Sequence, residues 1–183
     1  TALETTNVTI STYSGGYSCA GLACSVSDPL ASGSIFLYAP ITRAAGGTAK
    51  TLTLKAWVAL ILDGNYTGSA TSYTINGTSG NPLNVVLWAN AAADSGVYGG
   101  ARYGNITTFG GNVWIGGGAT SQAAPWDSSV QVPTGKSVGW NGITQAGAYQ
   151  LGYINTTTDG SNATTGGNIN IYAASGNGYT SLG

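Results

Sequence analysis

The amino-acid sequence predicts an all-β fold, either a sandwich or a barrel, within a single domain. Three observations lead to this prediction. Short runs rich in Val, Ile, Thr and Tyr recur along the chain, glycine clusters separate them at intervals of roughly ten residues, and residues 50–62 alternate strictly between two faces. The chain of 183 residues is long enough for one core. Only residues 89–93 are a candidate helical turn.

The first segment, residues 1–14, is predicted to be a β-strand. Because successive strand residues point to opposite faces, Val8 and Ile10 lie on one face, and Asn7 and Thr9 lie on the other. Two glycines and a cysteine pair then separate this segment from the remaining chain. The segment is therefore either the first strand of its own sheet or a strand that pairs with a neighbouring molecule.

Cys19 and Cys24 enclose four residues and are predicted to form a disulfide in an exported chain. A metal site would need further ligands, and the sequence contains no histidine and no third cysteine. The expected role of the disulfide is to fix the junction after the first strand.

Residues 50–62 give the strongest strand signal, which predicts one long central strand that ends at Asp63-Gly64. A short strand is predicted before it, at residues 34–39. No internal repeat of fixed period is found, which argues against a solenoid. The later predicted strands are residues 72–75, 83–88, 96–103, 112–115, 129–132, 137–140, 147–154 and 168–173.

The composition excludes several classes of partner. Charged residues make up 6% of the chain and the formal net charge is −1, so nothing favours binding to nucleic acid or to an anionic membrane. No apolar run approaches the roughly 18 residues that a membrane helix needs.

Enzymatic chemistry finds little support in the sequence. A β-rich chain with many Trp, Tyr, Ser and Thr residues suggests a small glycosidase, but such enzymes need a pair of carboxylates and Glu4 is the only glutamate. Three of the aspartates, Asp28, Asp63 and Asp159, belong to turn signals. The absence of histidine excludes a Ser-His-Asp triad. The sequence therefore predicts a protein that is not an enzyme and has no cofactor.

Six Asn-x-Thr sequons predict N-glycosylation, because the composition alone would produce fewer. The chain also begins at Thr1 without an initiator methionine or a signal peptide, which predicts a processed, extracellular protein. The candidate glycosylation residues are Asn7, Asn65, Asn76, Asn105, Asn155 and Asn162.

The tryptophans allow an alternative function. Trp57, Trp88, Trp114 and Trp140 lie within predicted strands and are expected to be core residues. Trp126 follows Pro125 in a predicted loop and is a candidate sugar contact. The alternative prediction is therefore a secreted carbohydrate-binding module or a monomeric adhesin.

The sequence resembles the subunits of the thread filaments of thermoacidophilic archaea. The resemblance depends on the terminal β-type segment 1–14, the loop between the two cysteines, the sequons and the terminal run Asn168-Ile169-Asn170-Ile171-Tyr172-Ala173. It implies an immunoglobulin-like, pilin-like β-sandwich that lacks one strand. As in chaperone–usher pilins, the N-terminal strand of a neighbouring subunit would fill the gap.

The resemblance assigns roles to particular residues. It implies that residues 1–14 are a donor strand, that residues 15–183 are the pilin domain, and that Leu3, Val8 and Ile10 insert into the neighbour. Glu4, a charged residue on the inserting face, departs from that pattern. The implied function is an extracellular cell-surface filament for adhesion or cell–cell contact. Its implied partners are identical subunits, in a head-to-tail homopolymer, and covalent N-glycans.

Overall fold

A computed structural model describes residues 1–12, 33–62, 73–91, 98–140, 148–150, 153–160 and 165–172. These ranges contain one helix, α1 (Ala2–Thr5), and no helix in them is long and apolar enough to cross a membrane. Their strands are β1 (Val8–Ser11), β2 (Ile35–Phe36), β3 (Ile41–Thr42), β4 (Lys50–Lys55), β5 (Leu60–Ile61), β6 (Ile75–Asn76), β7 (Leu83–Ala89), β8 (Tyr98–Gly99), β9 (Ala101–Tyr103), β10 (Ile106–Thr107), β11 (Val113–Ala124), β12 (Asp127–Gly135), β13 (Val138–Trp140), β14 (Ala148–Gln150), β15 (Ile154–Asn155) and β16 (Ile169–Ile171).

The strands form three parallel sheets that the chain visits in rotation. Sheet A contains the parallel strands β1, β4, β7, β11 and β16 and the antiparallel strand β12, sheet B contains β2, β5, β9 and β14, and sheet C contains β3, β6, β10 and β15. Each strand pairs in parallel with the strand one turn earlier. This is the topology of a parallel β-helix, in which each turn of the chain stacks on the previous turn. Two pairs are antiparallel, β11 with β12 and β8 with β13.

The all-β class predicted from the sequence is confirmed, but the strand pairing is not that of an immunoglobulin-like sandwich. A sandwich joins neighbouring strands antiparallel, whereas here consecutive strands fall in different sheets and pair one turn later. The prediction against a solenoid was wrong. It depended on the absence of a repeat of fixed period, and the turns of this fold differ in length. Leu52 pairs with Val85 after 33 residues, Val85 with Val113 after 28, and Val113 with Ile169 after 56.

Two predicted strands are interrupted. The predicted central strand, residues 50–62, is split into β4 in sheet A and β5 in sheet B by a corner between them. The first segment is helical at α1 and becomes a strand only at β1. Thr1 is the N-cap of α1 and Glu4 is three residues later, a capping-box spacing that favours a helix start over a strand. The amino group of Thr1 also donates a hydrogen bond to the Glu4 carboxylate.

The main core lies inside the turns of the β-helix, which is called the coil below, and is lined by all three sheets. In sheet C the same inward position is isoleucine in every strand, at Ile41, Ile75, Ile106 and Ile154. In sheet A the corresponding stack is Val8, Leu52, Val85, Val113 and Ile169. Stacking equivalent apolar side chains on consecutive turns removes most of their surface from water, which is the main source of stability for such a coil.

A second core lies outside the coil, on the outer face of sheet A. Strand β11 runs on beyond its parallel pairing and folds back as a hairpin with β12. The hairpin covers Trp88 and Trp114, which are 3% and 4% exposed, with Val130 and Val132. These two tryptophans are core residues, as expected, whereas Trp57 is half-buried and the Trp140 side chain lies outside the described part of the chain.

Candidate functional site

The N-terminal end of the coil is formed by β1, β2 and β3. Within the described residues β1 has one strand partner, β4, so its other edge faces away from the coil. Val8 packs against the main core, but Ile10, the next inward residue of β1, is 46% exposed. Among the described residues this end therefore presents an unpaired strand edge and an apolar side chain that no further turn covers.

Residues 1–12, called the N-terminal arm below, are anchored to this end by a buried arginine. Arg43 is fully buried, and its guanidinium donates hydrogen bonds to the carbonyl oxygens of Leu3, Thr48 and Pro82 at 3.1, 2.7 and 2.9 Å. Burial lowers the pKa of Arg43, and the nearby charge of Glu4 acts in the opposite direction. Leu3 itself is buried in the main core. The arm is therefore part of the folded chain at both α1 and β1.

Asn7 connects the arm to the hairpin. Its side-chain oxygen accepts a hydrogen bond from the Thr51 backbone N–H at 2.9 Å, and its Nδ2 donates to Asp127 at 2.9 Å. Hydrogen bonds from Ser129 and from Asn7 lower the pKa of Asp127. The arm is consequently held from the inner side by the core and from the outer side by the hairpin.

The C-terminal end of the coil is formed by β14, β15 and β16. Strand β16 pairs with β11, and within the described residues its other edge has no strand partner. Ile169 is 46% exposed and Tyr153 is 53% exposed. The ring of Tyr172 stacks on Trp114 with centroids 5.2 Å apart, which fixes the end of β16 to the outer core. The two ends of the coil thus expose the same kinds of group.

A ladder of asparagines joins the turns at the entry to sheet A. The Asn84 side-chain oxygen accepts the Asn112 backbone N–H at 2.8 Å, and the Asn112 oxygen accepts the Asn168 backbone N–H at 2.9 Å. Asn7 repeats this contact with Thr51. The ladder stops at Asn168, whose own side chain has no hydrogen-bond partner among the described residues.

A groove with both polar and apolar lining residues runs along the outer face of β1 and β4. It consists of two adjoining cavities of about 260 and 240 Å³ that share Thr9 and Lys55. The Lys55 ammonium lies 3.9 Å from the centre of the Trp88 ring, and no carboxylate of the described residues lies within ion-pair distance of it. The remaining lining residues are Asn7, Thr53, Trp88, Ser129, Val130 and Gln131 in one cavity, and Ser11, Thr12, Trp57 and Ala91 in the other.

The candidate sugar contact Trp126 lies at the tip of the hairpin. Its ring is half-buried against the outer core, 6.3 Å from that of Trp114, and its indole N–H donates to Thr51 at 3.3 Å. These contacts fasten the hairpin tip to β4. A sugar contact at Trp126 stays a prediction.

The sequon asparagines that the structure describes are Asn7, Asn76, Asn105 and Asn155. Asn76 and Asn155 each donate one hydrogen bond from Nδ2, to Thr74 and to Gly160, both at 2.8 Å. An amide nitrogen that carries a glycan keeps one N–H, so these single bonds are compatible with glycosylation. Asn105 uses only its oxygen, which accepts the Tyr153 backbone N–H at 3.1 Å.

Other predicted sites fall in parts of the chain that the structure does not describe. Cys19 and Cys24, with their predicted disulfide, lie outside the described residues. The same holds for the sequons at Asn65 and Asn162, and for the last two residues of the predicted donor strand. These assignments stay predictions.

The asparagine ladder was missed in the sequence, although a signal for it exists. An asparagine directly precedes a β-branched residue at the start of four strands of sheet A, in Asn7-Val8, Asn84-Val85, Asn112-Val113 and Asn168-Ile169. Because the intervals between these pairs are unequal, a search for a fixed period does not detect them.

Comparison with known proteins identifies no relative. No family model, no curated protein and no solved structure matches the chain. The function proposed below therefore depends on the geometry of the described residues.

Proposed function

We propose that the protein is a structural subunit of an extracellular filament that polymerises head to tail through the two ends of its coil. The observation that carries this proposal is the pair of open ends. In the described part of the chain, each end has an unpaired sheet A edge and an exposed isoleucine that belongs to an inward-facing position, Ile10 at one end and Ile169 at the other. Stacking on another copy would continue the sheets and the inward-facing stack at each end.

The end strands lack the features that usually protect an exposed edge. Proteins block such edges with charged side chains or proline, because an open edge readily pairs with another chain. The six strands β1, β2, β3, β14, β15 and β16 contain neither a charged residue nor a proline. This absence favours edges that are used for pairing.

The geometry of such a contact favours a filament. The two ends are different surfaces, so contact between the C-terminal end of one copy and the N-terminal end of the next is heterologous. All strands of sheets A, B and C except β12 run parallel, and stacking would continue the same pairing between subunits. A head-to-tail contact that repeats along the coil axis does not close into a ring.

The extracellular location and the N-glycans are part of the same proposal. They rest on the six sequons and on the depletion of charged residues, since uncharged Thr, Ser and Asn side chains with glycans keep a filament hydrated. A role in adhesion or cell–cell contact follows from a position on the cell surface.

The test compares assembly of the wild type with assembly of end variants. We expect filaments by electron microscopy for the wild type, and monomers for Ile169→Lys, because a lysine at this position would bury its charge between subunits. Ser128→Lys, which places the same charge on the exposed side of the hairpin, is the matched control and should form filaments. A wild-type protein that stays monomeric at high concentration would refute the proposal.

A second candidate function is binding of an acidic saccharide in the groove along β1 and β4. The observation that favours it is the Lys55 ammonium, which lies in a groove of otherwise uncharged side chains and has no carboxylate partner among the described residues. One cation beside neutral hydroxyl and amide groups suits an acidic saccharide that brings one of its carboxylates to Lys55. It does not suit a polyphosphate, which needs several cations.

Titration with a trimer of galacturonic acid tests this second candidate. We expect binding by the wild type, at least a tenfold loss in Lys55→Gln, and no loss in Lys136→Gln, which removes an exposed lysine outside the groove lining. Equal affinity for the uncharged galactose trimer would show that Lys55 does not select the ligand.

A further inference from the structure

We infer that β16 of one subunit replaces the N-terminal arm of the next subunit and pairs with that subunit's β4. This inference rests on the proposed filament and names its interface. The arm, residues 1–12, then serves as an internal substitute that occupies the assembly edge of a free subunit. The resemblance implies the opposite exchange, in which residues 1–14 are the donor.

The number of strands in each sheet leads to this inference. Within the described residues sheet A has five parallel strands besides the antiparallel β12, whereas sheets B and C have four parallel strands each. Suppose that a second copy stacks on the C-terminal end, so that its β2 follows β14 and its β3 follows β15. The place beside its β4 would then be required both by its own β1 and by β16 of the first copy. One of these two strands has to leave.

The two competing strands have nearly the same sequence pattern. β1 with its preceding residue reads Asn7-Val8-Thr9-Ile10, and β16 with its preceding residue reads Asn168-Ile169-Asn170-Ile171. Both have asparagine at the ladder position, two inward β-branched residues, and a polar residue between them that faces outward. Either strand therefore fits the position beside β4.

The exchange also completes contacts that are left open at the C-terminal end. In the register of β1 on β4, Asn168 would take the place of Asn7 and accept the Thr51 backbone N–H. Ile169 would lie on Leu52 and Ile171 on Leu54, which would cover the exposed Ile169. The asparagine ladder would then run without interruption from one subunit into the next.

β16 has an advantage over the arm in this competition. It is already paired with β11, and β14 and β15 of the same end pair with β2 and β3 at the same time, so three strands bind together. The arm offers one strand, together with Leu3 and the contacts to Arg43 and Asp127. Those contacts must break before assembly, which predicts a lag in polymerisation.

Locking the arm tests whether it has to leave. Thr9 and Thr53 lie opposite each other in the register, and neighbouring strands are about 4.8 Å apart, which suits a disulfide. We expect the double variant Thr9→Cys, Thr53→Cys to stay monomeric when oxidised and to form filaments when reduced, whereas each single variant forms filaments in both conditions. Filaments from the oxidised double variant, at the wild-type rate, would overturn the inference.

A second pair of introduced cysteines tests directly which residues of two neighbouring subunits lie opposite each other. The exchange places Asn170 of one subunit beside Thr53 of the next, because Asn170 takes the position of Thr9. Filaments of the double variant Asn170→Cys, Thr53→Cys should therefore give a ladder of covalent oligomers on a non-reducing gel. Filaments that give no ladder would overturn the exchange and leave the proposed function in place, whereas a wild type without filaments would refute the proposed function itself.

The variant Ile10→Lys distinguishes displacement of the arm by β16 from the other ways in which two subunits could join. Ile10 is 46% exposed in the free subunit, so the substitution is compatible with folding. In the exchange the arm is outside the interface, and we expect Ile10→Lys to form filaments with an equal or shorter lag. If the arm itself were the donor, or if β16 paired with an undisplaced β1, the lysine would prevent assembly, and that result would overturn the inference.

Discussion

The two ends of the coil carry the same strand pattern but are held in different ways. At the N-terminal end, β1 has side-chain anchors: Leu3 in the core, Arg43 on the Leu3 carbonyl, and Asn7 between β4 and the hairpin. At the C-terminal end, β16 is held by its pairing with β11, by the last step of the ladder and by the ring of Tyr172. Similar strand sequences therefore do not imply similar attachment. The attachment at the N-terminal end depends on side chains, so the effect of removing each of them on the free energy of unfolding can be measured.

Removal of the buried arginine is expected to have the largest effect on stability, because it deletes the main anchor of the N-terminal end. Arg43→Ala deletes three hydrogen bonds from a charged group to the carbonyls of Leu3, Thr48 and Pro82. Among the described residues the Leu3 and Thr48 carbonyls then have no hydrogen-bond donor, whereas the Pro82 carbonyl keeps the Lys50 backbone N–H at 3.4 Å. We expect the free energy of unfolding to fall by about 3 kcal/mol or more. Urea denaturation followed by tryptophan fluorescence measures the change.

Two variants serve as controls for Arg43→Ala. Ile169→Ala truncates a side chain at the other end that is already half exposed, and we expect a loss of less than about 1 kcal/mol. Lys136→Ala removes an exposed charge, and its effect should stay within about 0.5 kcal/mol. Equal losses for Arg43→Ala and Ile169→Ala would contradict the difference between the two ends.

The asparagine ladder is expected to give the next largest effect on stability. It allows the same residue type to be compared inside the coil and at its end. Asn84 is buried and accepts hydrogen bonds from both the backbone and the side-chain nitrogen of Asn112, so we expect Asn84→Ala to cost roughly 1–3 kcal/mol. Asn168→Ala removes a side chain that has no hydrogen-bond partner among the described residues, and should leave the stability of the monomer unchanged within about 0.5 kcal/mol.

The same pair of variants also distinguishes folding from assembly. If β16 takes the place of β1 in the filament, Asn168→Ala loses its new bond to Thr51 and weakens the polymer without weakening the monomer. The critical concentration for assembly, measured by light scattering, should rise for Asn168→Ala. No rise would mean that the ladder does not continue between subunits.

The sequence predicted the strands better than it predicted how they pair. Alternation and β-branched residues correctly placed β7 and the start of β11, because both features report a buried face. They do not report which strand lies beside which, and inward residues alternate in a coil as they do in a sandwich. The corner between Lys55 and Leu60 continues the apolar pattern of β4, so the change of sheet leaves no mark in the alternation.

The candidate sites were predictable in part. The face of Val8 in the first segment was correctly separated from that of Asn7, because the period of a strand fixes it. The position of the arm depends on contacts between residues far apart in the chain, such as Asn7 with Asp127 and Leu3 with Arg43. No local pattern contains such pairs. The groove at Lys55 was missed for the same reason, since its second wall comes from the hairpin.

The smallest expected effect is the dependence of the arm on pH. The folded chain lowers the pKa of Asp127 through hydrogen bonds from Ser129 and Asn7. A carboxyl group with a lowered pKa stabilises the fold above the pKa of the unfolded chain, which is about 3.9, and the stabilisation is lost as the pH falls through the folded value. We expect wild type and Asp127→Asn to differ in stability at pH 6 and to converge in strong acid.

Hydrogen exchange of the β1 amides, compared at pH 6 and pH 3, measures the effect on the arm itself. In the wild type, exchange corrected for its intrinsic pH dependence should increase on acidification at β1 and stay constant at β7, whose residues form none of the hydrogen bonds described for Asp127. Asp127→Asn should abolish the difference at β1. Because the arm has to leave before β16 can bind, the same acidification should shorten the lag of filament formation in the wild type and not in Asp127→Asn. A lag that lengthens in acid would show that release of the arm does not limit assembly.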